Sequence, residues 1–133
     1  MGLFKKIISI ENIKIPKRLP MTGFDIPVLA SFTGIGALKI LCLSHNSLNP
    51  KFKITNSGIE YKVVFSKKKP YLSIRQVDFF DALMTKNLTF IFKDSIFSLG
   101  INLNNKNNIK QLLCFLKKKR IPLSERAQAA SRA

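Results

Sequence analysis

The sequence predicts a mainly β, α+β domain in which an antiparallel meander of five strands is closed by one C-terminal α-helix. Three observations carry this expectation. Between about residues 51 and 101 apolar residues alternate with polar ones, the period of half-buried strands, and turn formers interrupt them at short intervals. After residue 104 the period becomes helical, with Ile109, Leu112, Leu113 and Leu116 at i, i+3, i+4 and i+7. A chain of 133 residues that is 46% hydrophobic supports one domain with a real core and not two.

Residues 1–24 contain Pro16 and Pro20 and no sustained period, so they read as a basic arm. Within it Leu3, Phe4, Ile7 and Ile8 fall on one face of a short amphipathic helix. Residues 25–47 form an apolar segment, expected as a buried helix or a helix plus a strand. Its run from Ile26 to Leu43 is interrupted by Pro27, Gly34, Gly36 and Lys39 and is short for a bilayer span, which needs about 20 predominantly apolar residues.

The meander follows in residues 48–120. Phe52 and Ile54 share one face of a first strand, Asn56–Gly58 supplies a turn, and Ile59, Tyr61, Val63 and Phe65 share one face of a second. Lys67, Lys68, Lys69 and Pro70 then read as a hairpin tip, with the Pro at a strand boundary where its missing N–H costs least. The alternation slips between Ile74 and Val77, which predicts a bulge. "TKN" and "KDS" are turns around a strand carrying Leu88, Phe90 and Phe92, and Phe97, Leu99 and Ile101 complete the fifth strand. Asn104 and Asn105 are caps for the closing helix, Lys117–Arg120 complement its negative end, and Pro122 stops it. Residues 121–133 are a short terminal helix or tail, with Ser124 as its cap.

The run "LNPKFKITNSGIEYKVVFSKKKPYLSIRQVDFF" with "NLTFIFKDS" and "NLNNKNNIKQLLCFLKKKRIPLSERA" resembles the bacterial pleckstrin-homology-like (PH-like) families of small proteins. The matching elements are Gly58–Tyr61, Pro70, Tyr71 and Ile74 with Val77 and Asp78 after them, and Pro122–Ser124, over about Leu48 to Ala127. The resemblance implies an antiparallel curled sheet or barrel plugged by the C-terminal helix, without catalytic activity. Two departures stand beside it: five clear strands where the full architecture has seven, and no Trp on the closing helix.

Charge suggests the partner class. The 23 Lys and Arg against 7 Asp and Glu give a net charge of +16, a field that favours anionic partners. Phosphoinositide-binding PH domains use cations on a strand-loop-strand hairpin, so the resemblance implies an anion or phosphate site at Lys62, Lys67, Lys68, Lys69 and Arg75; the alternative is a solvated turn whose lysines serve solubility and discourage edge-to-edge pairing. The function expected is a non-catalytic binding or scaffold module on a protein partner or an acidic membrane surface. The alternative is a nucleic-acid binder that uses Lys117, Lys118, Lys119 and Arg120 together with the arm. No recognised nucleic-acid motif accompanies those cations.

Signals for chemistry are sparse. His45 is the only histidine, Asp78 and Asp81 lack a third metal ligand, and the glycines of "TGIGAL" lack the preceding strand and third glycine of a dinucleotide loop. No cofactor, metal or small-molecule substrate is therefore expected. Cys42 and Cys114 lie in apolar runs as free thiols, and the N-terminus lacks a signal-peptide pattern, so a cytoplasmic location with peripheral membrane contact is expected. A strand edge or the Ile26–Leu43 face could support self-association.

Overall fold

The computed structural model describes residues 10–35, 50–63, 65–82 and 85–133. Their architecture is α+β and mainly β: two four-stranded antiparallel sheets and two helices. The strands are β1 (Phe24–Asp25), β2 (Ala30–Ile35), β3 (Lys51–Ile54), β4 (Gly58–Lys62), β5 (Ser66–Pro70), β6 (Ile74–Ala82), β7 (Thr85–Phe92) and β8 (Phe97–Asn102). One sheet runs β1-β3-β4-β5 and the other β2-β8-β7-β6. Helices α1 (Lys106–Lys118) and α2 (Glu125–Arg132) follow.

The core lies between the sheets and under α1. Alternation puts Phe52, Ile54, Ile59 and Tyr61 on the inner face of the first sheet, and Leu88, Phe90, Phe92, Leu99 and Ile101 on that of the second; all are buried. Phe52 meets Phe90 across the gap with ring centroids 5.3 Å apart. Ile109, Leu112, Leu113 and Leu116 are at most 2% exposed, so the helical stripe seals the core as its spacing predicts.

The chain changes sheets three times, between β1 and β2, between β2 and β3, and between β5 and β6, and two of these changes are corners within the described residues. At Pro27, β1 gives way to β2: Ile26 N–H donates to Phe52 O at 2.9 Å in one sheet, and Leu29 N–H to Asn102 O at 2.7 Å in the other. The second corner is a short 3-10 turn at Tyr71–Ser73. Strands that bend between sheets in this way make the corners of packed β-structures.

Several expectations are corrected. The sheets are not closed into a barrel. Between β2 and β4 the bond described is from the buried Ser31 Oγ to Lys62 O at 2.6 Å, a side-chain contact in place of a backbone ladder. Within the segment expected as a buried helix or a helix plus a strand, Ala30–Ile35 is a strand paired with β8, and its aromatic and β-branched residues Phe32, Thr33 and Ile35 suit a sheet. Residues 36–47 of that segment, with Cys42 and His45, and the amphipathic turn at Leu3–Ile8 lie outside the described residues. Phe65 is 75% exposed because β4 ends at Lys62, and Lys86 and Asn87 of "TKN" already lie in β7.

Other local expectations hold. The register shifts between Ile74 and Gln76, which turns both Ile74 and Val77 inward. At the "NSG" turn Thr55 Oγ1 accepts from Ser57 N–H at 3.2 Å and Gly58 N–H at 3.1 Å, a hydroxyl standing in for a backbone acceptor. Asn105 caps α1 by accepting from Asn108 N–H, and Ser124 caps α2 by accepting from Ala127 N–H. The α1 terminus closes as a Schellman motif: Ile121 N–H donates to Leu116 O at 3.1 Å and Arg120 N–H to Lys117 O at 3.0 Å.

Candidate functional site

The expected hairpin cluster is brought together in part: Lys62, Lys67 and Lys68 line one cavity of about 340 Å³ with Lys51, Lys53, Asp25 and Glu60, while Lys69 and Arg75 are not among its lining residues. Lys67, Lys68 and Lys69 lie along β5, an edge strand paired with β4, and not at a tip; the connection at the end of that hairpin spans residues 63–65. Because strand side chains alternate, the lysines face two ways. Lys67 pairs with Tyr61 and Lys69 with Ile59, so both sit on the inner side, while Lys68 pairs with Glu60 on the outer side.

The outer face carries its own compensation. Asp25, Lys53, Glu60 and Lys68 are cross-strand neighbours in one row of alternating sign. Such pairs stabilise by roughly 0.2–1 kcal/mol each. Lys62 stands one row away opposite Lys51, and Arg75 lies on β6 in the other sheet, at the bulge. Lysine on an edge strand discourages further strand pairing, which accounts for the composition of β5 without a ligand.

The second expected cluster is drawn into a different arrangement. A groove of about 640 Å³ runs between residues 15–19 and α1. Lys17 and Arg18 come from one wall, and Lys110, Lys118 and Lys119 from the other, with Asn107, Gln111 and Asn56 beside them. Lys110, Cys114 and Lys118 recur at i, i+4 and i+8, which sets a row about 12 Å long at 1.5 Å per residue. None of the seven acidic residues lines this groove. Lys117 and Arg120 are not among its lining residues, so the "KKKR" run is divided.

What brings the N-terminal segment to the helix is a set of amides. Ile13 N–H donates to Asn108 Oδ1 at 2.8 Å, and Ile15 N–H to Gln111 Oε1 at 3.1 Å. In the other direction Asn108 Nδ2 donates to Glu11 O at 2.8 Å, Asn105 Nδ2 to Ile10 O at 2.8 Å and Asn107 Nδ2 to Ile13 O at 3.1 Å. The helix thereby offers the extended chain donors and acceptors, as a neighbouring strand would. Ile13 and Ile15 pack against the core cluster and Leu19 is buried in it, so apolar contact reinforces the clamp.

Cations and aromatic rings meet along the groove. Lys119 Nζ stands 5.5 Å from the Tyr71 ring centroid and 5.6 Å from that of Phe115, so these rings hold an ammonium. Tyr71 Oη donates to Thr55 O, and burial pushes its phenol up to about 12. Cys114 is a free, half-buried thiol whose Sγ lies 3.5 Å from Ser131 O.

The two aspartates once considered together are separated by their use. Asp78 accepts from Ser124 Oγ at 2.6 Å and pairs with Arg126, whereas Asp81 pairs with Lys86 at 3.2 Å. Three positions apart on one strand, they project from opposite faces. Among the described residues no group of three or more His, Cys, Asp or Glu is placed to hold a metal ion, and no helix is long and apolar enough to cross a membrane.

Sequence reasoning missed Lys110 and the amide clamp. A helical wheel carries a signal for the first, since Lys110 shares a face with Lys118 opposite the buried leucines. The clamp has no such signal, because it joins side chains to backbone groups some 95 residues away. No family model matches this sequence, and no curated protein matches it either.

Proposed function

We propose that this chain is a non-catalytic nucleic-acid-binding module that lays a phosphodiester strand along the groove between residues 15–19 and α1. One observation carries the reading: five cations from opposite ends of the sequence line one concave surface that no acid reaches. A row of about 12 Å is too extended for one compact phosphate and suits the repeated charges of a strand. The walls are concave, so the planar surface of a bilayer meets their rims more readily than their cations. With Lys119 over both nearby rings, binding is governed by charge and is indifferent to base sequence.

The finer reading of the fold as PH-like belongs with this proposal. Two antiparallel sheets joined at corners, with a leucine-lined C-terminal helix over the core, support it. On that reading the ligand face is displaced from the β4–β5 hairpin to the helix and the arm.

Fluorescence anisotropy with a labelled single-stranded oligonucleotide at low salt is the direct test, run beside sedimentation with phosphatidylserine vesicles. Oligonucleotide binding that Arg18→Gln, Lys110→Gln and Lys118→Gln together weaken is the result expected. Vesicle binding without oligonucleotide binding would replace the proposal with a peripheral membrane role. Binding of neither would end it.

A further inference from the structure

A second cavity lies at the open end of the sheet sandwich, away from the basic groove. It measures about 330 Å³ and is lined by Tyr61, Val63, Phe65 and Phe97 and by Thr33, Ser95 and Ser98, with Lys67 and Lys69 alongside. Its position follows from the strands. Tyr61 and Lys67 are cross-strand partners on the inner face of the first sheet, while Phe97 shares a face with Leu99 and Ile101 in the second. The cleft thus continues the core between the two sheets.

Its chemistry is divided. Phe65, 75% exposed, and Phe97, 47% exposed, are large apolar side chains of the lining that stand in water. Among the described residues the charged members of the lining are the two lysines. Lys69 is already engaged, with Nζ 3.1 Å from Asp94 and 4.9 Å from the Phe92 ring centroid. Lys67 has no ion pair among the described residues. Burial, with the Asp94 charge adding to it, pushes the Tyr61 phenol up to about 12, so it remains an O–H donor throughout the neutral range.

We propose that this cleft binds a small amphipathic monocarboxylate, with its apolar body between Tyr61, Val63, Phe65 and Phe97 and its carboxylate at Lys67. One uncompensated cation matches one negative charge, and the aromatic walls match an acyl chain or aryl ring. The volume sits at the lower end of the range of ligand pockets. This site is independent of the groove and uses none of its residues.

Isothermal titration with 3-phenylpropionate and with octanoate, against 3-phenylpropan-1-ol as the uncharged analogue, tests the assignment. The chain contains no Trp and two Tyr, so quenching of tyrosine emission gives a second readout, with Tyr61→Phe assigning it to the cleft. Saturable binding of either carboxylate, about tenfold or more tighter than the alcohol, is expected from a charge-assisted hydrogen bond. Which probe binds better decides between an acyl and an aryl ligand. Lys67→Met, at an exposed position, should reduce the carboxylate to the affinity of the alcohol without changing the thermal melt. Phe65→Ser should weaken acid and alcohol alike. Equal binding of acid and alcohol, an unaffected Lys67→Met variant, or no saturable uptake of either acid would overturn the proposal. So would a dimer in sedimentation velocity that Phe65→Ser dissociates while neither probe binds, since the cleft would then be a contact between copies of this chain.

Discussion

Replacing Arg18, Lys110 and Lys118 by Gln separates a groove from a general positive field. If all five groove cations meet phosphates, the logarithm of the association constant for a single strand should fall with the logarithm of salt at a slope of about −0.7 per contact, or about −3.5 in all. Between 50 and 200 mM salt the affinity then drops about a hundredfold. With two contacts left, the slope becomes about −1.4 and the same change costs only about sevenfold. Arg18, Lys110 and Lys118 are exposed, so their replacement should alter stability by no more than about 0.5 kcal/mol. The matched control is Lys51→Gln, Lys62→Gln and Lys68→Gln, which removes the same three charges from the outer face of the β1-β3-β4-β5 sheet. Anisotropy titrations at four salt concentrations give both slopes. Equal slopes for the two triple variants would refute the reasoning, because net charge and not the groove would then govern binding.

Four further outcomes test the architecture that builds this groove. Asn108→Ala leaves the partly buried Ile13 N–H without its acceptor and should cost about 1–3 kcal/mol, with faster hydrogen exchange at Ile13 and Ile15 than in the rest of the core. At Gly100 an added Cβ would lie 1.8 Å from the Phe32 ring, so Gly100→Ala should lower the urea midpoint by the equivalent of about 1–3 kcal/mol, and less in a Phe32→Leu background. Arg120 has φ 63° at the position after the α1 cap where glycine is preferred; Arg120→Gly should raise stability by up to about 1 kcal/mol and leave the salt slope unchanged. Tyr61 and Tyr71 both have phenols raised to about 12, so the folded state retains their protons between pH 10 and 12 while the unfolded state loses them. Their contribution is complete below pH 10 and is lost as pH rises through 12, which a set of alkaline melts should show as falling stability that Tyr61→Phe with Tyr71→Phe reduces.

Periodicity made the interior legible and left the exterior obscure. Ile109, Leu112, Leu113 and Leu116 declared their helix because burial selects residue type on every turn, and the slip between Ile74 and Val77 declared its bulge because alternation has only two phases. The lysines of β5 were harder to place. A run of cations carries no period, so a solvated turn and an edge strand have the same composition, and only pairing with Gly58–Lys62 distinguishes them. Residues 30–35 stand between helix and strand for the opposite reason. An apolar stretch buried in a sheet shows no alternation to set against a helix, and strand propensity in "ASFTGI" is decided by the partner strand β8. The groove needed both walls, and one of them is attached by amide-to-backbone bonds that no residue pattern announces.

The placement of the acids explains why so basic a chain concentrates its unpaired charge where it does. Asp78 is held by Ser124 and Arg126, Asp81 by Lys86 and Asp94 by Lys69. Asp25 and Glu60 alternate with Lys53 and Lys68 across the outer sheet face, and Glu125 occupies the first turn of α2, where a negative charge complements the helix dipole. Six of the seven acids are thereby committed to local structure, and the seventh, Glu11, lends its backbone carbonyl to the clamp. Cations that face an acid stabilise the fold. Those of the groove face no acid in its lining, with Lys119 over the Tyr71 and Phe115 rings, and their mutual repulsion is one that folding must offset and that an incoming chain of phosphates relieves. The clamp on residues 10–15 supplies that offset through hydrogen bonds and buried apolar contact, so its strength sets how closely five like charges are held and how strongly the groove draws a polyanion.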